Sequence, residues 1–254
     1  MSGFSAKAES MANGGGGMTD IGPQSRKGHR ASGARGGSRH HHDNSSASLS
    51  SILWLQRQFH DPYVAEARRL GYRSRAAFKL LDLDRKRRIL KPGQQVVDLG
   101  AAPGGWSQVA VARVITDKLA RGQVVSVDLN AWTAVPGATC LTYDFMAADS
   151  TSRLKQVLGG GKADVILSDM APNTTGHQRT DHLRVLVLVE AAYAFALDVL
   201  SPGGAFVAKV LQSGAEPVLL ADLKRHFTSV HHIKPPASRK ESAEIYLVAQ
   251  GLIR

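Results

Sequence analysis

Five ionisable residues stand at or just beyond the ends of five successive apolar runs. Asp98 closes Gln95-Val96-Val97 and Asp128 closes Val124-Val125-Ser126-Val127. Asp144 follows Cys140-Leu141-Thr142-Tyr143, Asp169 follows Val165-Ile166-Leu167-Ser168, and Lys209 follows Phe206-Val207-Ala208. Core packing gives no reason for a charge at the same end of each run. Carboxylates so placed accept hydrogen bonds from the hydroxyl and amino groups of a ligand. An amine among apolar neighbours is different: desolvation and a nearby cation both favour its neutral form. Lys209 is therefore read as a general base, with Lys79 as the nearby cation and with Asp169 and Glu244 orienting the two amines. Such a base contributes typically about 10²- to 10⁴-fold to a reaction in which a hydroxyl loses its proton as it attacks.

The run that ends in Asp98 leads into Leu99-Gly100-Ala101-Ala102-Pro103-Gly104-Gly105-Trp106. The turn has few side chains, so a ligand can lie against its backbone. It is not the dinucleotide pattern G-x-G-x-x-G, because Ala102 stands where the second glycine belongs. It is not the phosphate loop G-x-x-x-x-G-K-[ST] either, because Trp106 and Ser107 follow Gly105. The turn resembles the first motif of S-adenosylmethionine (SAM) methyltransferases, which takes a ligand with amino-acid and nucleoside ends. In a doubly wound sheet Asp128 is then placed for the ribose hydroxyls, and Asp144 for an adenine amino group with Phe145 near the ring. An acidic residue ending a strand is also an ordinary helix N-cap. In Ser168-Asp169-Met170-Ala171-Pro172-Asn173 no aromatic residue follows the proline. That argues against a flipped base nitrogen as the methyl acceptor and leaves a hydroxyl.

The elements that must position these groups follow from the pattern of apolar runs. Candidate strands are 95–99, 124–129, 138–143, 164–168, 204–211, 229–233 and 244–250. Candidate helices are 106–120, 151–158, 181–200 and 214–227, with 51–90 mostly helical. Strands separated by helices predict an α/β fold: a doubly wound, mostly parallel seven-stranded sheet flanked by helices. The last strand follows its predecessor without a helix, across Pro235-Pro236, and is expected to run antiparallel. Pro202 with Gly203-Gly204 is expected to stop the long helix. The segment 185–200 is the most apolar, but it carries Glu190 and Asp198 and is short of the roughly 20 residues that span a bilayer. It is read as a buried helix.

Residues 1–50 differ in kind: glycine runs, serine clusters, three histidines at 40–42 and hardly a bulky apolar residue. Such a segment cannot bury enough surface to offset its ordering entropy, so it is expected to be a disordered Gly/Ser/Arg-rich tail. It is too rich in glycine for the amphipathic helix of a mitochondrial targeting peptide, and no other ligand types near the histidines suggest a metal site. Residues 51–254 are expected to form a single domain with a basic helical lead-in at 51–91. The formal net charge is +11. Between 57 and 91 there are eleven Lys and Arg against four Asp and Glu, a field that attracts polyanions. The one cysteine, Cys140, excludes an intrachain disulfide, fits a reducing compartment, and is read as a small core residue. No signal-peptide pattern opens the chain.

Five segments, taken together, resemble the FtsJ/RlmE family of RNA ribose 2′-O-methyltransferases. They are Arg73-Ser74-Arg75-Ala76-Ala77-Phe78-Lys79, the loop 98–106, and the segments 168–173, 206–209 and 242–246. Trp54-Leu55 and Asp61-Pro62-Tyr63 in the lead helix are similar too. The tail and a somewhat longer stretch between Trp106 and Asp128 depart from the pattern. The resemblance implies a catalytic Lys-Asp-Lys-Glu tetrad at Lys79, Asp169, Lys209 and Glu244, with Lys209 as base. It implies SAM contacts at Gly104, Trp106, Asp128, Asp144 and Asp169, to which the loop adds Asp98 and Gly100. It further implies methyl transfer to a uridine ribose of 23S ribosomal RNA in the large subunit, with no metal, no membrane, a monomer and a cytoplasmic location. Transfer RNA or mitochondrial ribosomal RNA as substrate, and a non-catalytic RNA-binding assembly factor on the same fold, are the alternatives.

Overall fold

The computed structural model describes residues 61–116, 122–173, 175–212 and 217–253. The expected tail, Trp54-Leu55 and the start of the lead-in lie outside the described residues. Helices α1 (Pro62–Arg69) and α2 (Ala76–Arg87) precede β1 (Gln95–Leu99), α3 (Gly105–Val114), β2 (Gln123–Asp128) and β3 (Ala138–Thr142). Then come α4 (Ser150–Val157), β4 (Ala163–Ser168), α5 (Gln178–Val199), β5 (Leu200–Leu211), α6 (Pro217–His226), β6 (Phe227–Ile233) and β7 (Glu244–Leu252).

The seven strands form one sheet in the order β3-β2-β1-β4-β5-β7-β6. Pairing is parallel from β3 to β5, and β7 runs antiparallel to both β5 and β6. This is the doubly wound, mostly parallel sheet predicted, with its antiparallel strand where the missing helix put it. The chain reverses direction across the sheet between β1 and β4. Ligands of open α/β sheets bind in the crevice at such a point.

The inner strands are buried on both faces, so their apolar residues alternate between two layers. Val96, Val124, Val165, Leu167, Val207 and Tyr246 face α2 and α3. Val97, Val125, Ile166, Phe206 and Ala208 face α4, α5 and α6. Side-chain period therefore assigns Lys209 to the layer of Val207, and Lys209 lies directly opposite Tyr246 in the β5–β7 ladder. Asp98 shares its layer with Val96 for the same reason.

Several boundaries differ from expectation. Among the described residues the lead-in is two helices broken at residues 70–75, where Gly71 takes a positive φ. Helix α3 ends at Val114 rather than 120. Helix α5 stops at Val199 and passes straight into β5, so Pro202 and Gly203 lie within the strand and do not end the helix. The stop comes from the sheet, since Leu200 already pairs with Ala163. Cys140 is half-buried on edge strand β3 and not in the core.

The lead-in is fastened by charge as well as by apolar packing. Asp61 caps α1 by accepting from Tyr63 N at 3.0 Å. Its other oxygen pairs with Arg75 at 2.5 Å and Arg239 at 3.3 Å. Asp61 and Arg75 are largely shielded from water, at 7% and 15% side-chain exposure. Removing one partner of a shielded pair leaves an uncompensated charge, which typically costs about 3–5 kcal/mol. Asp61→Asn keeps the cap and removes the charge. It is expected to lower unfolding free energy by about 3 kcal/mol, measured by denaturant titration; an unchanged midpoint would contradict this account of the lead-in.

Candidate active site

At the crevice between β1 and β4 lies a cavity of about 630 Å³. Gly100 and Ala102 line it from the loop after β1, Asp128, Leu129 and Asn130 from the end of β2, and Asp144, Phe145 and Met146 from beyond β3. Asp169, Met170 and Pro172 follow from β4, and Arg184 and Val187 from α5. The cavity thus gathers polar groups from the carboxyl ends of four strands between apolar walls, in the size range of sites for ligands of a few hundred daltons.

The predicted residues divide by position. Asp128 accepts from Ala102 N at 2.9 Å through one oxygen and from Asn130 N at 2.8 Å through the other, so it also shapes the loops beside it. Asp144 accepts from Met146 N at 2.8 Å and is otherwise exposed. Phe145 is buried and meets Phe195 edge-on at 5.7 Å. Trp106 does not line the cavity. Its ring is buried, donates to Ala76 O at 2.8 Å and packs at 5.4 Å from the Tyr246 ring. These contacts fix α3 against α2.

The loop glycines also act differently from expectation. A side chain at Gly100, where φ is +76°, would meet the Met170 backbone at 2.7 Å. The missing side chain lets two loops of the protein touch at the crevice, rather than only clearing room for a ligand.

Asp98 lies beneath the loop, fully buried. Its Oδ2 accepts from Ser107 Oγ at 2.7 Å, and Ser107 Oγ accepts in turn from Ser126 Oγ at 2.9 Å. Its Oδ1 has no hydrogen-bond partner among the described residues. Burial, opposed by the bond from Ser107 and assisted by the charges of Asp169 and Asp128, pushes the carboxyl up to about 7.

The four residues of the predicted tetrad converge. Lys209 Nζ donates to Asp169 Oδ1 at 3.0 Å and to the Asp169 carbonyl at 2.6 Å. Lys79 Nζ pairs with Glu244 Oε1 at 2.5 Å. The expectation that the carboxylates orient the amines holds, but the two amines do not simply face each other: each has its own carboxylate. The group that joins the pairs is Tyr246, which the sequence reading left without a role. Its hydroxyl lies 2.8 Å from Asp169 Oδ1 and 3.2 Å from Glu244 Oε1. Having one proton, it donates along the shorter bond to Asp169. Burial, followed by the two carboxylate charges, holds this phenol well above its ordinary value, so it stays a donor. Ser238 Oγ adds a bond to Glu244 Oε1 at 3.2 Å. The signal for Tyr246 was its spacing, since residues 244 and 246 share one face of a strand.

Asp169 belongs to both halves of the site. It lines the cavity and holds Lys209. A cleft for a nucleoside-bearing ligand, joined at one carboxylate to a shielded amine, defines a group-transfer enzyme of the methyltransferase class. Comparison with known proteins places it more narrowly. Residues 72–252 match the model of the FtsJ-like methyltransferase family. The chain is 62% identical over 204 residues to the ribosomal RNA large subunit methyltransferase E of Paramagnetospirillum magneticum, covering 80% of this chain and 83% of that protein. It is 56% identical over 203 residues to the protein of the same name from Afipia carboxidovorans, covering 80% and 89%. The crystal structure of a ribosomal RNA methyltransferase from Plasmodium falciparum superposes with a TM-score of 0.60 at 29% identity, covering 71% of this chain and 98% of that one. The chain belongs to the FtsJ-like methyltransferase family and is an enzyme of that class.

Methyltransferases of this family use SAM, and the residues present fit it. The cavity has the volume, and Asp128 and Asp144 offer acceptors at two points of its wall. The raised Asp98 carboxyl has a consequence for stability. A carboxyl at about 7 when folded and at its ordinary 3.8 when unfolded contributes fully below about pH 4, and that contribution is lost as pH rises towards 7. Asp98→Asn removes the dependence. Between pH 4 and 7.5 the stability difference is expected to move in the variant's favour by on the order of 4 kcal/mol, read from denaturant midpoints of ligand-free protein. Parallel pH curves for the two proteins would refute it.

Proposed function

We propose that this protein methylates a ribose 2′-hydroxyl of large-subunit ribosomal RNA, at a uridine, during ribosome assembly. One observation carries the chemistry: Asp169 is shared between the nucleoside cavity and the Lys209 amine. The acceptor class is supported by the printed names of relatives 62% and 56% identical to this chain. RNA also supplies the 2′-hydroxyl that the amine site suits, and DNA does not. SAM supplies the methyl group on a sulfonium, a leaving group already charged, so the proposed reaction needs no metal.

Each residue then has a task. Asp128 and Asp144 hold the nucleoside end, and Asp98, bonded to Ser107 of α3, supports the glycine loop from beneath. Lys209 commits two of the three hydrogen-bonding positions of its amine to Asp169, which leaves one for the incoming hydroxyl. The amine would take the hydroxyl proton as the oxygen–carbon bond forms and the methyl–sulfur bond breaks, the sulfur leaving as a neutral thioether, and Asp169 would balance the ammonium that results. Tyr246 fixes the Asp169 oxygen that receives Lys209. Lys79 and Glu244 hold the other side of Tyr246. Positioning of nucleophile and methyl carbon in line supplies much of the remaining acceleration.

Substrate attraction falls to the exposed part of the basic lead-in. Arg68, Lys86, Arg88 and Lys91 are exposed and suit RNA phosphates. A monomer acting on RNA in the cytoplasm accords with this reading. Among the described residues no helix is long and apolar enough to cross a membrane.

Lys209→Ala is expected to lower methyl transfer by at least about 10²-fold while SAM and RNA affinities stay within a few-fold of wild type. Single-turnover incorporation of labelled methyl into large-subunit particles, naked ribosomal RNA and transfer RNA checks both parts. Wild-type-like turnover in the variant would remove Lys209 as base. Labelling of transfer RNA alone would overturn the substrate assignment.

A further inference from the structure

Arg73 counts towards the basic field of the sequence, yet its side chain is turned inward. Its guanidinium donates to three backbone carbonyls: Pro103 at 3.2 Å, Thr133, and Ala134 at 2.6 Å. Pro103 is in the glycine loop after β1. Thr133 and Ala134 are in the segment that continues from Asp128, Leu129 and Asn130 beyond β2. Those two loops form adjoining walls of the nucleoside cavity. They already touch, because Ala102 N donates to Asp128, and a side chain at Gly104 would meet Val135 at 2.6 Å and Arg73 itself at 3.1 Å.

The base of Arg73 is held as firmly as its tip. Its own N–H donates to Gln108 Oε1 at 2.8 Å, and Gln108 Nε2 donates to Gly71 O at 2.9 Å, so the turn before α2 is pinned to α3. Lys79 lies six positions further along, on α2. Arg73 therefore spans from the element that carries Lys79 to both loops that wall the cavity. A planar guanidinium with fixed donors can fork to several carbonyls at once, whereas an ammonium on a flexible stem cannot hold them in one geometry. A guanidinium already engaged with three carbonyls is poorly placed to reach a phosphate.

Resting on the functional reading above, we propose that Arg73 is a positioning residue: it sets the two loops of the SAM cavity in register with the Lys79 helix, and it is not an RNA phosphate contact.

The test compares Arg73→Lys and Arg73→Gln with wild type in the full chain. SAM and S-adenosylhomocysteine binding are measured by calorimetry, RNA binding across a salt series, and melting temperature alongside. Both variants are expected to weaken SAM binding by about 10-fold or more. Lysine should not rescue it, because it keeps the charge and loses the fork. RNA affinity should stay within two-fold of wild type with the same salt slope. Gln108→Ala, which loosens the same turn while keeping Arg73, should weaken SAM binding in the same direction but less. A phosphate contact predicts the reverse: SAM binding unchanged, RNA weakened in Arg73→Gln with the salt slope smaller by about one, and rescue by lysine. That outcome, or wild-type affinity for both ligands, overturns the proposal. Wild-type protein that binds neither SAM nor S-adenosylhomocysteine overturns the functional reading together with it.

Discussion

Everything at the site turns on the Asp169 carboxylate. It leaves β4 at the point where the sheet reverses direction, its backbone N–H donates to Leu99 O at 3.0 Å, and its Oδ1 receives both Lys209 and Tyr246. It follows directly on buried Ser168 and the packed apolar residues of β4, so it has little freedom to adjust. Two amines and two carboxylates are drawn into a space where each is less than a fifth exposed. Their formal charges cancel, but burying them still costs desolvation that a well-packed apolar cluster would avoid. A cluster of this kind is poorly explained by stability and well explained by chemistry, because it holds an amine at a set place beside a ligand cavity. Tyr246 makes the cluster one unit, since its hydroxyl lies between the two carboxylates and its ring packs on buried Trp106.

The basic lead-in serves two purposes that composition alone does not separate. Arg73 and Arg75 are internal fasteners, one on loop carbonyls and the other on Asp61. Arg69 and Arg85 pair with carboxylates on their own helices, at 2.6 Å in each case; the Arg69–Glu66 pair is exposed and typically contributes under about 1 kcal/mol, while Asp82, the partner of Arg85, is buried. Arg68, Lys86, Arg88 and Lys91 remain exposed. The exposed positive field thus comes from a subset of the cations, while Arg73, Arg75, Lys79 and Arg87 join the lead-in to the rest of the domain.

Much of this was legible in the sequence for physical reasons. Strands buried on both faces are short continuous apolar runs, so β1 was bounded to the residue and most others to within a residue or two at one end. The carboxyl-end rule then ranked Asp128, Asp144, Asp169 and Lys209 before any coordinates. What was not legible depended on partners far apart in the chain. Tyr246 reaches Asp169 across 77 positions, and Arg75 meets Ala237 O across 162. The family resemblance implied a ligand contact at Trp106 and the loop suggested one at Gly100, which lines the cavity, but their packing inside the protein was not legible. Only the fold shows that Ala76 O and the Met170 backbone occupy the space beside them. The long helix ends at Val199, one residue from its expected end, but through the pairing of Leu200 with Ala163 and not through Pro202 and Gly203.

The most direct test of the shared carboxylate is Asp169→Asn, which keeps the shape and removes the charge. SAM affinity by calorimetry and single-turnover methyl transfer should be measured on the same preparation. Both should fall: affinity by about 10-fold or more, as expected when a charged hydrogen-bonding group is lost, and transfer by at least about 10²-fold. Unchanged SAM affinity with only the transfer rate lost would place Asp169 on the amine side alone, and wild-type transfer would contradict the account at its centre.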